Sequence, residues 1–362
     1  MSRSDSGAEV AGVLVVDDSV FMRRMISDMI DRFPGFRVVG TSVDGQEALR
    51  DIERLKPQIV TLDIEMPRLD GFGVLERVMR SSPRPIVVLS AYTAEGSEAA
   101  LHALDLGAVD FVPKPSGPIS FDVAKVEARL FEALQATAAA DMEALLRERS
   151  RAGAPLARPH PGPGACVAVA ASTGGPRALS HILPALPPDL GAAVMIVQHM
   201  PPGFTSTLAS RLNQLSRLRV AEASGGEEVG PNRVWIAPGD FHMRVRQAGS
   251  SVRIALDQRE AIWGTRPAAD ALFPSIAEVF GERSVGVVLT GMGRDGAAGL
   301  AAILAAGGRT LAQDRATSVV YGMPGRAVSL GAAQREVPLE EVPAAIVEAL
   351  AMFREAPLRR KE

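Results

Sequence analysis

Asp17, Asp18 and Asp63 are the first residues of this chain whose type and placement suggest chemistry. Asp17 and Asp18 directly follow the apolar run Val13–Val16, and Asp63 directly follows a run ending at Leu62. If the two runs are neighbouring parallel strands, the three carboxylates meet at the carboxyl edge of one sheet, where open α/β sheets place their ligands. Like charges so close repel, and a hard divalent cation with oxygen ligands, Mg²⁺, would relieve them. Ser90 ends a fourth run and Lys114 a fifth, supplying a hydroxyl and an ammonium to hold the oxygens of a phosphoryl group on Asp63. Taken singly, Asp at a strand end is turn punctuation and Lys a solvated charge. Five such residues in register along one sheet edge outweigh that reading.

A second constellation lies downstream. Val167–Pro176 reads VAVAASTGGP, an apolar strand running into Ser172 and a glycine pair that opens a helix. A serine at such a corner is exposed beside helix-start N–H groups, although a lone S-T-G-G is equally an N-cap with a tight turn. Of five histidines, His199 in MIVQHMPPGF projects from the end of a strand, whereas His160, His102 and His181 sit in a linker or in helical patterns. His242 in APGDFHM is the rival as base. Asp295 in VVLTGMGRDG again follows a strand, so Ser, His and Asp converge on one edge. A triad needs that convergence: the carboxylate orients the imidazole, which takes the hydroxyl proton. The chain order Ser…His…Asp and the absence of G-x-S-x-G, with Ala170 and Gly174 flanking the serine, exclude an ordinary lipase or esterase. Backbone N–H groups of Gly291–Gly293 are placed to stabilise an oxyanion. Cys166 starts an apolar strand and reads as a buried thiol rather than a nucleophile.

The elements that must position these residues follow from periodicity. Between Val13 and about Ala140, five apolar runs (Val13–Val16, Phe36–Gly40, Gln58–Leu62, Pro85–Leu89 and Val109–Val112) alternate with helical patterns such as Phe21, Met25, Met29 and Ile30. Strands alternating with helices predict a parallel sheet with right-handed crossovers. A last helix is expected around Ile119–Ala140. Arg147–Gly164, rich in Pro, Gly and Arg without periodicity, reads as a linker. Strand runs then recur at Cys166–Ala170, Ala193–Val197, Val234–Ala237 and Val285–Leu289, with helices at Arg177–Leu186 and Ala297–Ala306 and an antiparallel arm at Val252–Leu256. The fold class is α/β, two doubly wound parallel-sheet domains.

Over its first third, the chain resembles the response-regulator receiver domain, a flavodoxin-like fold. The resemblance makes Asp63 the phosphoacceptor, Asp17, Asp18, Asp63 and the Glu65 backbone carbonyl the Mg²⁺ ligands, and Ser90 and Lys114 the phosphoryl-binding pair; Lys114 precedes Pro115, as in the family's Lys-Pro. Phe111 stands at the family's aromatic reporter position without a tyrosine hydroxyl. From Cys166 to about Leu350, the blocks ASTGGP, QHMPPGFT, APGDFHM, LTGMGRDGA and AQDRATSVVYGMP resemble the chemotaxis protein-glutamate methylesterases, implying a Rossmann-like catalytic domain. By that resemblance, Ser172, His199 and Asp295 are nucleophile, base and orienting acid, Thr173 is a polar partner and the Met292 N–H serves the oxyanion. Thr265 stands where many members have His before Arg-Pro, and Ala268-Ala269 replaces Ser-Val, which bears on the substrate groove. The domains implied are a receiver at 10–140, a flexible linker at 141–163 and a catalytic domain at 164–356. The implied partners are methylated chemoreceptors and a chemotaxis-type histidine kinase as phosphodonor, with no cofactor in the hydrolase. The activity implied is demethylation, with deamidation of receptor glutamines, regulated by a receiver that docks over the active edge until phosphorylated.

Composition narrows the alternatives. With 47% hydrophobic and 22% charged residues over 362 positions, each half can bury a core. A net charge of −3 and no terminal helix-turn-helix argue against a nucleic-acid partner. One cysteine excludes an intrachain disulfide, and the N-terminal residues carry no signal-peptide pattern, so the cytoplasm is the expected compartment. No apolar run is long enough to insert in a membrane. A dinucleotide-binding domain fails because Ser-Thr-Gly-Gly, not G-x-G-x-x-G, follows the first strand of the second half. A catalytically dead hydrolase serving as a phosphate sink is opposed by the intact triad.

Overall fold

The computed structural model describes residues 10–91, 93–114, 123–147 and 164–354. The chain divides into two compact units, Met1–Met142 and Glu143–Glu362.

In the first unit β1 (Ala11–Val16), α1 (Val20–Ile30), β2 (Phe36–Ser42), α2 (Gly45–Leu55), β3 (Ile59–Asp63), α3 (Gly71–Ser81), β4 (Ile86–Ser90), α4 (Ala94–Leu106), β5 (Asp110–Pro113) and α5 (Val123–Ala138) alternate strictly. The strand order is β2-β1-β3-β4-β5, all parallel. β3 and β4 are buried along their whole length, which is why they read as continuous apolar runs rather than alternating ones. Polar caps start the helices: Ser19, Asp44, Asp70 and Thr93 each accept a hydrogen bond from a first-turn N–H. The five expected strands are present, with β1 and β2 two residues longer at one end and β3, β4 and β5 shifted by one residue. Ser90 ends β4 as expected, and Asp63 occupies the last position of β3 rather than the first loop position.

A short helix α6 (Met142–Arg147) follows, inside the span read from sequence as linker. Residues 148–163 lie outside the described residues, as do Pro115 and residues 119–122 of the expected last helix.

The second unit contains β6 (Ala165–Ala171), α7 (Gly175–Ala185), β7 (Ala192–Gln198), α8 (Phe204–Leu215), β8 (Arg219–Glu222), β9 (Arg233–Ile236), β10 (His242–Ala248), β11 (Ser251–Asp257) and α9 (Ala269–Phe280). It continues with β12 (Ser284–Val288), α10 (Ala297–Ala305), β13 (Arg309–Gln313), α11 (Met323–Ser329), β14 (Arg335–Val337) and α12 (Val342–Ala351). Seven strands form a parallel sheet of order β14-β13-β12-β6-β7-β9-β8, and β10 and β11 form a separate antiparallel hairpin. The chain leaves β6 in one direction and β12 in the other, so the β6/β12 boundary is a topological switch point, where such sheets open a crevice. The expected strands at Cys166, Ala193, Val234 and Val285 are β6, β7, β9 and β12, and the antiparallel arm is β11. Strands β8, β10, β13 and β14 carry Arg or Glu within three- to seven-residue runs and gave no apolar signal. Among the described residues, no helix is long and apolar enough to cross a membrane.

Candidate functional site

In the first unit, β1 and β3 are neighbours at the switch point, and their ends bring together Asp17, Asp18 and Asp63, whose ligand oxygens lie within 4.8 Å of one another. Asp17 and Asp63 are buried, while Asp18 is exposed. Lys114, at the end of β5, reaches across with Nζ 2.8 Å from Asp17 Oδ2 and 2.7 Å from Asp63 Oδ2. Its backbone N–H bonds the Ser90 carbonyl at 2.7 Å, which ties β5 to β4 at this edge. The buried Ser90 hydroxyl donates to the Gly96 carbonyl at 2.6 Å. Glu65 donates its N–H to Asp63 Oδ1 at 3.3 Å, and Phe111 is buried within β5. Arg23, not anticipated from sequence, donates to the carbonyls of both Asp17 and Asp18 at 2.7 and 2.9 Å, pinning the loop that carries them. Three carboxylates on two strand ends match the hard oxygen donors Mg²⁺ requires.

Burial drives the Asp63 carboxyl up to about 6, and the nearby Asp17 charge adds to this while Lys114 opposes it. Burial pulls the Lys114 ammonium down, but Asp63 and Asp17 together outweigh it and raise the group. A carboxyl that holds its proton more tightly folded than unfolded favours the native state in acid. That contribution is lost as the pH rises from the ordinary carboxylate value through about 6. With metal chelated, Asp63→Asn is therefore expected to stabilise the first unit by about 1–3 kcal/mol near neutral pH. In denaturant titrations the gain should shrink towards zero below about pH 4. A variant less stable than the parent at neutral pH would show that the Lys114 attraction exceeds the cost of burial.

In the second unit, Ser172, His199 and the segment Thr290–Asp295 follow the ends of β6, β7 and β12, three adjacent strands. Ala171 is in register with Gln198, and the His199 N–H bonds the Ala171 carbonyl at 3.1 Å, so Ser172 and His199 leave the sheet side by side. Asp295 is buried, and its Oδ2 lies 2.8 Å from His199 Nε2. The same oxygen accepts the Ala269 N–H at 2.6 Å, and Oδ1 accepts the Asp270 N–H at 2.9 Å. Burial works to raise the Asp295 carboxyl. The hydrogen bond and charge of His199, with the two amides, win and hold it below its usual value. With Nε2 committed to Asp295, Nδ1 is the ring nitrogen left for a second partner.

The backbone of Ser172 is held on both sides. Its N–H bonds the Thr290 carbonyl at 3.0 Å, and its carbonyl accepts the Gly175 N–H at 2.7 Å and Gln198 Nε2 at 2.9 Å. Gly291 permits this approach, since a Cβ there would fall 2.7 Å from Ser172 Cβ. Gly174 takes φ 80°, and a Cβ on it would meet Val319 at 2.9 Å, so both conformation and space require glycine. Thr173 is buried, its carbonyl accepting from Thr290 Oγ1 at 3.0 Å. Met292 is 40% exposed, and its N–H has no acceptor among the described residues.

His242, the rival base, is fully buried at the start of β10, in the hairpin separate from the seven-stranded sheet, and bonds the Glu260 carbonyl through Nε2 at 3.0 Å. Cys166 is fully buried in β6. Three contacts were not anticipated from sequence, although Thr265 was noted there in the substrate groove. Gln198 clamps Ser172, Gln313 Oε1 accepts the Thr290 N–H at 2.8 Å, and Thr265 Oγ1 lies 3.5 Å from His199 Nε2. Both glutamines end their strands with almost no exposure; Gln198 closes the otherwise apolar β7, and that polar terminus was the available signal, which β13 with its Arg-Thr start did not offer.

Both units match known protein families. A family model described as CheB methylesterase matches residues 167–346, and one described as response regulator receiver domain matches residues 13–123. A curated relative from Symbiobacterium thermophilum, named protein-glutamate methylesterase/protein-glutamine glutaminase, is 48% identical over 93% of this chain and 96% of its own length. A relative of the same name from Pyrococcus abyssi is 43% identical over 94% of each chain. The crystal structure of the Thermotoga maritima CheB methylesterase catalytic domain, 42% identical, matches with a TM-score of 0.51 over 52% of this chain and 99% of that one. Fold and site together define a receiver domain followed by a methylesterase-type catalytic domain. The chain belongs to the protein-glutamate methylesterase/protein-glutamine glutaminase family.

Proposed function

We propose that this protein is a phosphorylation-regulated serine hydrolase of the cytoplasm that removes methyl groups from glutamate methyl esters on chemoreceptors and deamidates receptor glutamines. The observation that carries the reading is the Asp295–His199 pair at 2.8 Å beside Ser172 on adjacent strand ends, within a chain of this family. Ser172 Oγ attacks the side-chain carbonyl while His199 Nδ1 takes its proton. The Met292 N–H, which has no acceptor among the described residues, stabilises the oxyanion, and Thr173 is a polar partner beside the nucleophile. Collapse of the tetrahedral adduct expels methoxide, which leaves as methanol with the proton from His199. Water then attacks the acyl-enzyme with His199 as base, and glutamate is released as Ser172 regains its proton. An amide follows the same course with ammonia as the leaving group, so both substrates end as a receptor carboxylate.

Control belongs to the first unit. Asp17, Asp18, Asp63 and the Glu65 carbonyl would hold Mg²⁺, which supplies charge neutralisation at the phosphoacceptor. Asp63 accepts phosphate from a chemotaxis-type histidine kinase. Lys114, already 2.7 Å from Asp63, and Ser90 bind the phosphoryl oxygens, and phosphorylation raises hydrolase activity.

The test is methanol release from a methylated chemoreceptor by the purified full chain, with and without acetyl phosphate and Mg²⁺. The wild-type chain should be stimulated and Asp63→Asn should not respond. Equal stimulation of Asp63→Asn would place the phosphoacceptor elsewhere, and absence of methanol under every condition would remove the esterase reading.

A further inference from the structure

The turn Ile262–Thr265 has features the chemistry leaves unused. Ile262 and Thr265 exchange two backbone hydrogen bonds at 3.1 and 3.0 Å, with Trp263 at φ 55° and Gly264 at φ 82° between them. Two successive left-handed residues make a type I′ turn, for which Asn-Gly is the favoured pair. Glycine meets that requirement freely, whereas a bulky side chain at positive φ is strained. The strained residue is also the most exposed aromatic of the described chain, at 55%. Stability of the turn alone favours Asn or Gly at 263, so the indole points to a role outside the fold.

Its placement ties it to the active site. Trp263 Nε1 donates to Asp270 Oδ2 at 2.8 Å, and the Asp270 N–H donates to Asp295 Oδ1. At the other end of the turn, Thr265 Oγ1 is 3.5 Å from His199 Nε2. The Arg294 guanidinium lies 4.8 Å from the indole centroid. Arg294 immediately precedes Asp295, is exposed, and has no carboxylate partner among the described residues. A guanidinium stacked on a ring keeps its N–H edge turned outward, in the planar fork that pairs with carboxylates. Met292, 40% exposed, adds apolar surface two residues away.

We propose that Trp263 and Arg294 are specificity-determining contacts for the polypeptide around the scissile ester. The exposed part of the indole packs an apolar side chain of that segment, and Arg294 pairs with the carboxylate of an acidic residue next to the esterified glutamate. The proposal rests on the polypeptide glutamate ester being the substrate.

The test uses the full chain and two synthetic peptides, each carrying one glutamate γ-methyl ester, flanked by Glu in one and by Lys in the other. Arg294→Glu should raise KM for the Glu-flanked peptide by about tenfold and lower it for the Lys-flanked peptide, with kcat within about twofold. Trp263→Asn suits the backbone conformation, so its melting temperature should stay level or rise while KM for both peptides rises about tenfold. Peptide KM values unchanged in both variants would overturn the proposal. A fall in kcat of equal size on both peptides with KM unchanged would also overturn it, because the pair would then be buttressing His199 and Asp295. Failure of the functional reading looks different: the wild-type chain would release no methanol from either peptide, and the proposal would fall with it.

Discussion

Ser172→Ala is expected to lower receptor demethylation by about 10⁴- to 10⁶-fold while leaving the melting temperature near that of the parent, because members of a triad act as a unit. The fold is indifferent to the hydroxyl. Among the described residues the Ser172 side chain makes no hydrogen bond, and the contacts that hold the residue all run through its N–H and carbonyl. His199→Ala should match that loss, since without the imidazole no group takes the serine proton. His242→Ala separates the two histidines by mechanism. His242 is fully buried and bonded to the Glu260 carbonyl, so its removal should cost about 1–3 kcal/mol of stability and less than tenfold in kcat. Turnover and thermal melts of the three variants measure this directly. A His242→Ala enzyme slower than His199→Ala would reassign the base.

Much of this arrangement was legible in sequence because parallel strands buried on both faces leave unbroken apolar runs, and the residue that ends such a run projects from the sheet edge. Asp17, Asp63, Ser172 and His199 were placed that way, and Asp295 by the segment that follows the run Val285–Leu289. Strands β8, β13 and β14 were not. They are short and begin with Arg, and their strand character comes from pairing with a neighbour rather than from local pattern. Among residues around the site, the side chains that brace it by single hydrogen bonds between distant segments were illegible. Gln313 reaches Thr290 across 23 residues, and Thr265 reaches His199 across 66. Thr265 drew notice only as a departure in the substrate groove, yet its hydroxyl lies 3.5 Å from the His199 imidazole. The tautomer of His199 was also beyond sequence, because it depends on which nitrogen Asp295 meets.

That last contact carries the second large expectation: Asp295→Asn should cost about 10³- to 10⁴-fold in kcat although it changes one atom. Asp295 has two tasks. It receives His199 Nε2, and it caps α9, whose own N-cap, Ala268, offers no side-chain acceptor. Its oxygens take the Ala269 and Asp270 N–H groups instead. An ionised carboxylate accepts at all three points, whereas an amide has one accepting end. If the Asn oxygen occupies the position of Oδ2, His199 and Ala269 are satisfied, but the amide N–H₂ confronts the Asp270 N–H. If the amide is turned over, its N–H₂ faces Nε2 and drives the ring proton to Nδ1, the nitrogen that must accept from Ser172. Either orientation removes the negative charge that stabilises the imidazolium, and each leaves a buried N–H unpaired, costing about 1–3 kcal/mol of stability. The pH dependence follows with a definite sign. Because the Asp295 carboxyl is held below its usual value, its contribution to stability is complete above the ordinary carboxylate range and is lost as the pH falls below it. The parent and Asn variant should therefore converge in stability on acidification and diverge most near neutrality, as read from melts across that range alongside kcat. An Asn variant within tenfold of the parent in kcat would mean that the carboxylate caps α9 and does not orient the base.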